Sequence, residues 1–353
     1  MKYKKIKFPN DGKEHKSILE WWYFNGNLKD NKGNKYSFMN CLFKTDAKKI
    51  NLPFIKKLLL KNYFFSHYLI SDIKNKKFQS VINPIVLVSK DSFSRDKLFI
   101  NYVRIPIRKY INNSIEEIDK FKYRIKTDSF DLILTSKKKP LLAGGNGFLN
   151  KKSKYENYYY SLTNLDAEGI IKINGKIINV KGKSWMDHQW ADTPYEKNIG
   201  WSWFSIQLEN NTEIMCYEFI HKNKKIYLAN MIDKNGKCKY TKKIRLIPIG
   251  EIWKSKKTGA EYPLKWNLQI PSWKLNLNIS PIIKKQEMIF GIINYWEGPI
   301  KITGKLNKKK IKGDGFMELV GYPMEKNLIE QYKENFESKV FKGLNNLKKR
   351  FNL

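Results

Sequence analysis

Residues 200–208 read Gly-Trp-Ser-Trp-Phe-Ser-Ile-Gln-Leu, and residues 184–190 just upstream read Ser-Trp-Met-Asp-His-Gln-Trp. In the first segment Trp201, Trp203, Ser205 and Gln207 share one phase of a period-two repeat, and Ser202, Phe204, Ile206 and Leu208 share the other. Successive side chains of an extended chain point to opposite faces, so the spacing specifies a strand with one packing face and one aromatic, partly polar face. Four tryptophans fall within residues 184–204. A core is filled more simply by Leu, Ile and Val, and a buried indole N–H needs a partner. The block therefore reads either as the wall of a shaped aromatic cavity or as an aromatic core with a satisfied histidine. Asp187 and His188 add an adjacent acid and imidazole. The other such pair, Glu14-His15, sits in a polar N-terminal stretch without aromatic neighbours.

Outward from this block the chain keeps the same character. Short runs rich in aromatic and β-branched residues recur at Lys35–Phe43, Phe130–Leu134, Gly169–Ile173, Lys176–Val180, Glu213–Phe219, Leu264–Ile270 and Trp273–Ile279. Turn chemistry such as Asn174-Gly175 and Asn235-Gly236 separates them. Ile171 and Ile173 before Asn174-Gly175, with Ile178 and Val180 after it, specify a hairpin on a type I′ turn. In residues 20–28 the alternation assigns Trp22, Phe24 and Leu28 to a core, and Trp21, Tyr23 and Asn25 to a wall. Many short antiparallel strands with little helix imply barrels or sandwiches. Two segments depart from this. Leu52–Leu60 is a short apolar stretch with two lysines, a helical turn or a lipid-touching flap. Leu328, Tyr332, Phe336, Val340, Leu344, Leu347 and Phe351 recur every three or four residues, the mark of an amphipathic helix. Its basic end suits either packing on the barrel or contact with an anionic membrane surface.

Composition narrows the rest. The 353 residues allow one large or two ordinary domains with ample core. No apolar run is long enough for a membrane span, and Met1–Ser17 lacks the apolar region of a signal peptide, so a cytoplasmic, at most membrane-peripheral, location is expected. Cys41, Cys216 and Cys238 are odd in number, far apart and without zinc spacing. The net charge is +35, but only six of the 68 basic residues are Arg, and the lysines are spread along the whole chain. Phosphate and base recognition favours the forked guanidinium, so specific nucleic-acid binding is not expected. There is no dinucleotide or Walker loop, no GxSxG elbow and no HExxH. No cofactor and no metal are expected.

Several segments recur in one order: Glu-Trp-Trp-Tyr-Phe-Asn-Gly-Asn-Leu at 20–28, Phe-Phe-Ser-His-Tyr-Leu-Ile-Ser-Asp at 64–72, and Tyr-Tyr-Tyr-Ser-Leu-Thr at 158–163. The 184–204 block, Tyr-Trp-Glu-Gly-Pro at 295–299 and Gly-Phe-Met-Glu-Leu-Val-Gly-Tyr at 315–322 complete the set. From about Phe8 to Tyr322 the chain resembles the carotenoid 1,2-hydratase (hydroxyneurosporene synthase) family, also called AttH-like. The resemblance implies an all-β protein of two lipocalin-like antiparallel barrels or sandwiches, residues 1–195 and 196–324, followed by a helical tail, 325–353. It also implies a hydro-lyase adding water to an isoprenoid or similar polyene, with a non-catalytic carrier or a cyclase or isomerase as alternatives.

Hydration of an isolated double bond needs an acid that protonates carbon, a water that captures the cation, and aromatic faces around the charge. Asp187 is the candidate donor, or else a structural acceptor. His188 orients it or positions the water, or is a core histidine. Trp190, Trp201 and Trp203 would form the cation-stabilising wall, with Trp21, Tyr23, His67, Tyr217 and Glu297 as further lining residues. Members of the hydratase type tend to carry a carboxylate two residues after Tyr217, where this chain has Phe219; Glu218 is a substitute candidate. Glu318, close to a glycine turn, reads as a fold-stabilising acceptor.

Overall fold

The computed structural model describes residues 3–49, 61–104, 111–151, 153–193, 199–222, 224–291 and 293–351. The Leu52–Leu60 stretch and the expected boundary near Tyr195 lie outside these residues. Apart from three short 3-10 turns and one C-terminal α-helix, the regular elements among the described residues are strands.

The first sheet begins with β1 (Leu19–Lys29), β2 (Lys35–Asp46), β3 (Asn62–Asp72), β4 (Lys77–Asn83), β5 (Val86–Val88) and β6 (Phe99–Arg104). It continues with β7 (Ile111–Asp119), β8 (Lys122–Lys126), β9 (Phe130–Ser136) and the short β10 (Leu141–Leu142) and β11 (Phe148–Leu149). The long hairpin β12 (Asn157–Ile173) and β13 (Lys176–Ala191) completes it. Its strand order is β4-β3-β2-β1-β13-β12-β9-β8-β7-β6-β5. β5 returns to touch β3, so the sheet curls into a nearly closed barrel. The Asn174-Gly175 turn has φ of 51° and 77°, the two positive values that a type I′ turn demands.

The second sheet contains β14 (Ile199–Leu208), β15 (Glu213–His221), β16 (Lys224–Ile232), β17 (Cys238–Thr241) and β18 (Arg245–Pro248). A two-stranded ribbon, β19 (Ile252–Lys254) and β20 (Glu261–Pro263), stands apart from it. The sheet resumes with β21 (Trp266–Ile270), β22 (Leu275–Pro281), β23 (Glu287–Phe290), β24 (Ile293–Leu306) and β25 (Lys309–Val320). Its order is β17-β16-β15-β14-β25-β24-β22-β21-β18, with β23 paired to β24.

Alternation gives each sheet a private core and a shared one. Trp22, Phe24, Leu28, Phe38 and Met186 fill the first barrel. Phe204, Ile206, Leu208, Trp266 and Trp296 form the core against the second sheet. The opposite faces of the same strands meet between the sheets, where Tyr23, Cys41, Tyr159, Trp185, Trp203, Tyr295 and Phe316 pack together. Both strand-face assignments made from the sequence, for β1 and β14, correspond to this division.

The C-terminal helix, α1 (Lys326–Phe351), carries its half-buried Leu328, Tyr332 and Phe336 and its buried Val340 on one face. Phe336 meets Phe290 edge-on at 4.9 Å, and the Tyr332 hydroxyl donates to the Lys257 carbonyl at 3.2 Å. Gly291 lies under Phe336 with φ of 60°, where a Cβ would come within 3.1 Å of the ring. None of the helices among the described residues is long and apolar enough to cross a membrane.

Candidate functional site

The site is made of two cross-strand rows that face each other. On the first sheet Ser161, Asp187, Tyr23, Cys41 and His67 are successive partners across β12, β13, β1, β2 and β3. On the second sheet Tyr217, Trp203, Glu318 and Glu297 are successive partners across β15, β14, β25 and β24. Neighbouring strands lie about 4.8 Å apart, so the row from Asp187 to His67 spans about 14 Å. Residues up to 274 positions apart in sequence thus come into contact.

Hydrogen bonds stitch the rows together. The Tyr159 hydroxyl donates to Asp187 Oδ2 at 2.5 Å and Trp185 Nε1 donates to Asp187 Oδ1 at 2.7 Å. Trp203 Nε1 donates in turn to the Tyr159 oxygen at 2.9 Å. The Tyr23 ring stands edge-on to Trp203 at 5.4 Å, and its hydroxyl donates to Glu297 Oε1 at 2.9 Å. Trp201 Nε1 donates to Glu318, and His67 Nδ1 pairs with the Tyr295 hydroxyl at 2.7 Å. His67 Nε2, Gln286 Oε1 and Glu297 Oε2 are buried without a hydrogen-bond partner among the described residues. Gln286 joins this end of the site through bonds to Ser71 Oγ at 2.9 Å and to the Glu297 carbonyl at 3.3 Å.

No lysine or arginine among the described residues pairs with these carboxyls. Burial pushes Asp187 up to about 7, against the pull of its hydrogen bonds. Burial raises Glu297 well above the carboxylate range, and the neighbouring Glu318 charge adds to the shift. Burial raises Glu318 as well and lowers the His67 imidazole to about 3. Three carboxyls that hold protons readily, lined by indole and phenol rings, are equipped to move protons in a water-poor setting.

Three residues expected here lie elsewhere, for one reason. Asp187 and His188 are consecutive in an extended strand and so point to opposite faces. His188 faces the first barrel, where its Nε2 meets Glu20 Oε1 at 2.9 Å, and it neither touches nor orients Asp187. Trp190 shares the His188 phase and joins the first-barrel core, apart from Trp201 and Trp203. It stacks face to face on His15 at 3.8 Å, so His15 has the aromatic neighbour that its local sequence lacks. Glu218 is opposite Ser202 and points away from the facing rows; Lys225 Nζ and the Tyr227 hydroxyl hold it at 3.0 and 2.8 Å. Trp21, Tyr23, His67, Trp201, Trp203, Tyr217 and Glu297 all border the inter-sheet face. Sequence reasoning passed over Tyr159, Tyr295 and Gln286, and gave Glu318 only a structural part. The first two were legible as members of the alternating aromatic runs 158–163 and 295–299.

Glu20 anchors a second buried cluster, inside the first barrel. His15 Nδ1 approaches its Oε1 at 2.8 Å and Lys44 Nζ its Oε2 at 3.2 Å. Lys44 also pairs with Glu14 at 2.8 Å, and His15 Nε2 with Asp11 at 3.2 Å. Burial alone would raise Glu20, but the hydrogen bonds of His15 and His188 bring it down to about 2. The ligating atoms of His15, Glu20 and His188 lie within 4.8 Å of one another, the one such trio among the described residues. A metal cation there would meet the buried Lys44 ammonium, so the donor set suits an ion-pair clasp for the N-terminal segment rather than a metal centre.

Residues 1–322 match the AttH-like family model. An AttH-type protein of Nitrosomonas europaea superposes with a TM-score of 0.72 at 24% identity, over 92% of this chain and 98% of the other. Kievitone hydratase of Nectria haematococca gives 0.71 at 16% identity, over 90% and 93%. CghA, solved with Sch210972, gives 0.57 at 11% identity, over 87% and 89%. No curated protein matches the chain significantly in sequence. With a family model that spans nearly the whole of both sheets, this chain belongs to the AttH-like family.

Proposed function

We propose that the inter-sheet site catalyses acid-assisted addition of water to a double bond of an elongated apolar substrate, a hydro-lyase reaction of the carotenoid 1,2-hydratase type on an isoprenoid or polyene. The observation that carries this reading is the set of three proton-holding carboxyls, without cationic partners among the described residues, between aromatic walls. Protonating an alkene carbon calls for a carboxylic acid still protonated near neutrality, and Asp187 at about 7 meets that need. The tertiary cation that follows is stabilised by facing rings, each desolvated contact contributing about 2 kcal/mol. Trp203 and Tyr23, in edge-on contact between the rows, are the rings closest to that task. The structural likeness to kievitone hydratase supports a reaction of this class.

The test is incubation of the purified protein with an acyclic carotene bearing terminal isoprenyl double bonds in ¹⁸O-labelled water. The expected product carries one labelled oxygen for each bond hydrated, and Asp187→Asn gives none while still quenching its tryptophan fluorescence with the carotene. Tight binding without any altered product selects the carrier reading instead. That reading draws on the fact that both Asp187 oxygens already accept hydrogen bonds.

A further inference from the structure

Adding water across a double bond needs a proton acceptor as well as a donor, because the captured water must lose a proton. Asp187 lies on the first sheet. On the facing sheet Glu297 and Glu318 are direct cross-strand partners, so their carboxyls stand side by side. Glu297 is fully buried; its Oε1 is held by the Tyr23 hydroxyl, its carboxyl is coupled to that of Glu318, and beyond that pair its Oε2 has no hydrogen-bond partner among the described residues. Glu318, partly buried, is held through Oε1 by the Trp201 indole. Among the described residues the titratable groups around the pair are Tyr23 from β1, Tyr295 from β24 itself, Cys41 from β2 and Asp187 from β13, none of them cationic. His67 from β3, beside Tyr295, is neutral because burial holds it near 3. Two carboxyls so placed cannot both ionise, and one proton between them with one negative charge is the arrangement that like-charge repulsion favours.

Resting on the hydration reading, we propose that the Glu297–Glu318 pair is the proton acceptor of the reaction, with Glu297 Oε2 the atom that takes the proton of the attacking water. The Asp187 O–H bond breaks and the π electrons form the new C–H bond. A water lone pair forms the C–O bond at the cationic carbon. The proton that water sheds passes to Glu297 Oε2 as the shared proton settles on Glu318. Asp187 is then a carboxylate and the pair doubly protonated; one proton returns to Asp187 through solvent when product leaves. Donor and acceptor sit on opposite sheets, so hydrogen and hydroxyl enter from opposite sides of the double bond.

The experiment is the pH–rate profile for hydration of the same acyclic carotene. Glu297→Gln keeps the shape and the Tyr23 contact but removes the acceptor, so kcat is expected to fall about a hundredfold with carotene quenching of tryptophan fluorescence unchanged. Glu318→Gln removes the neighbouring charge, which makes Glu297 a stronger acid, so the acidic limb of kcat is expected to move to lower pH. A Glu297→Gln protein that hydrates at the wild-type rate overturns this proposal and leaves the hydration reading standing. If that variant does not fold, an acidic limb unmoved by Glu318→Gln overturns it instead. A wild type that converts no carotene overturns both.

Discussion

Glu20 and Glu297 are fully buried glutamates on strands of the same molecule, yet they face opposite surroundings. Glu20 sits among Lys44, His15 and His188 and is held near 2, a permanent charge within an ion-pair network. Glu297 sits beside Glu318 and a tyrosine hydroxyl and is pushed the other way. Desolvation acts on both carboxyls in the same sense; the neighbours decide the outcome. The first cluster spends its charges on holding the N-terminal segment against the barrel. The second leaves its protons available. The contrast separates a structural cluster from a chemical one, and it can be tested at both ends.

The largest effect is expected from Glu20→Ala, which takes from the buried Lys44 ammonium its fully buried carboxylate partner and leaves it only the partly exposed Glu14. Removing one partner of a buried ion pair costs about 3–5 kcal/mol. Chemical denaturation should show a loss of that order, and a loss under 1 kcal/mol would remove the structural role given to this cluster.

Asp187→Asn should act mainly on turnover, cutting it about a hundredfold or more. It should also show a smaller stability loss, about 1–3 kcal/mol, because the amide oxygen can accept only one of the bonds donated by Tyr159 and Trp185. Its pH signature sharpens the comparison. The Glu20 carboxyl is depressed on folding, so its stabilisation is present above about 4.5 and fades as pH falls through about 2. Asp187 is raised on folding, so its contribution is full below about 3.8 and is lost as pH rises through about 7. Unfolding midpoints measured from pH 3 to 8 should therefore show Asp187→Asn gaining on wild type toward the alkaline side. A parallel offset at all pH values would contradict the assignment.

A smaller effect is expected from Trp203→Ala, which removes both the wall facing Tyr23 and a donor to Tyr159. Carotene affinity, read by quenching of the remaining tryptophans, should fall about tenfold. The same substitution at Trp190 should leave affinity alone and cost stability, because that ring stacks inside the first barrel. Equal losses of affinity at the two positions would erase the distinction between the faces.

The smallest change is expected from Phe336→Ala on α1, about 1 kcal/mol for a half-buried ring against Phe290. Phe290 also stacks on Phe65 and touches His67 at the edge of the site. A change in carotene affinity larger than that at Trp203 would move the binding site toward the helix.

Much of this was legible in the chain. Period two in residues 20–28 and 201–208 specified strands and divided their faces, because backbone sterics alone set the alternation. Asn174-Gly175 specified the hairpin, since both positions need positive φ. The same rule applied to residues 185–190 separates Asp187 from both His188 and Trp190, which local sequence density had grouped. Glu218 is separated from Tyr217 in the same way.

What sequence settled by itself was therefore local: strand, turn, helix and the phase of each face follow from interactions within a few residues. Which faces meet was decided only in three dimensions. The pairing of Tyr23 with Glu297, of His67 with Tyr295 and of Tyr159 with Trp203 joins strands of different sheets, and no short-range pattern encodes it. Protonation followed the same division. Glu20 and Glu297 are the same residue in similar strands, and only the neighbours brought by the tertiary fold made one a fixed charge and the other a proton holder.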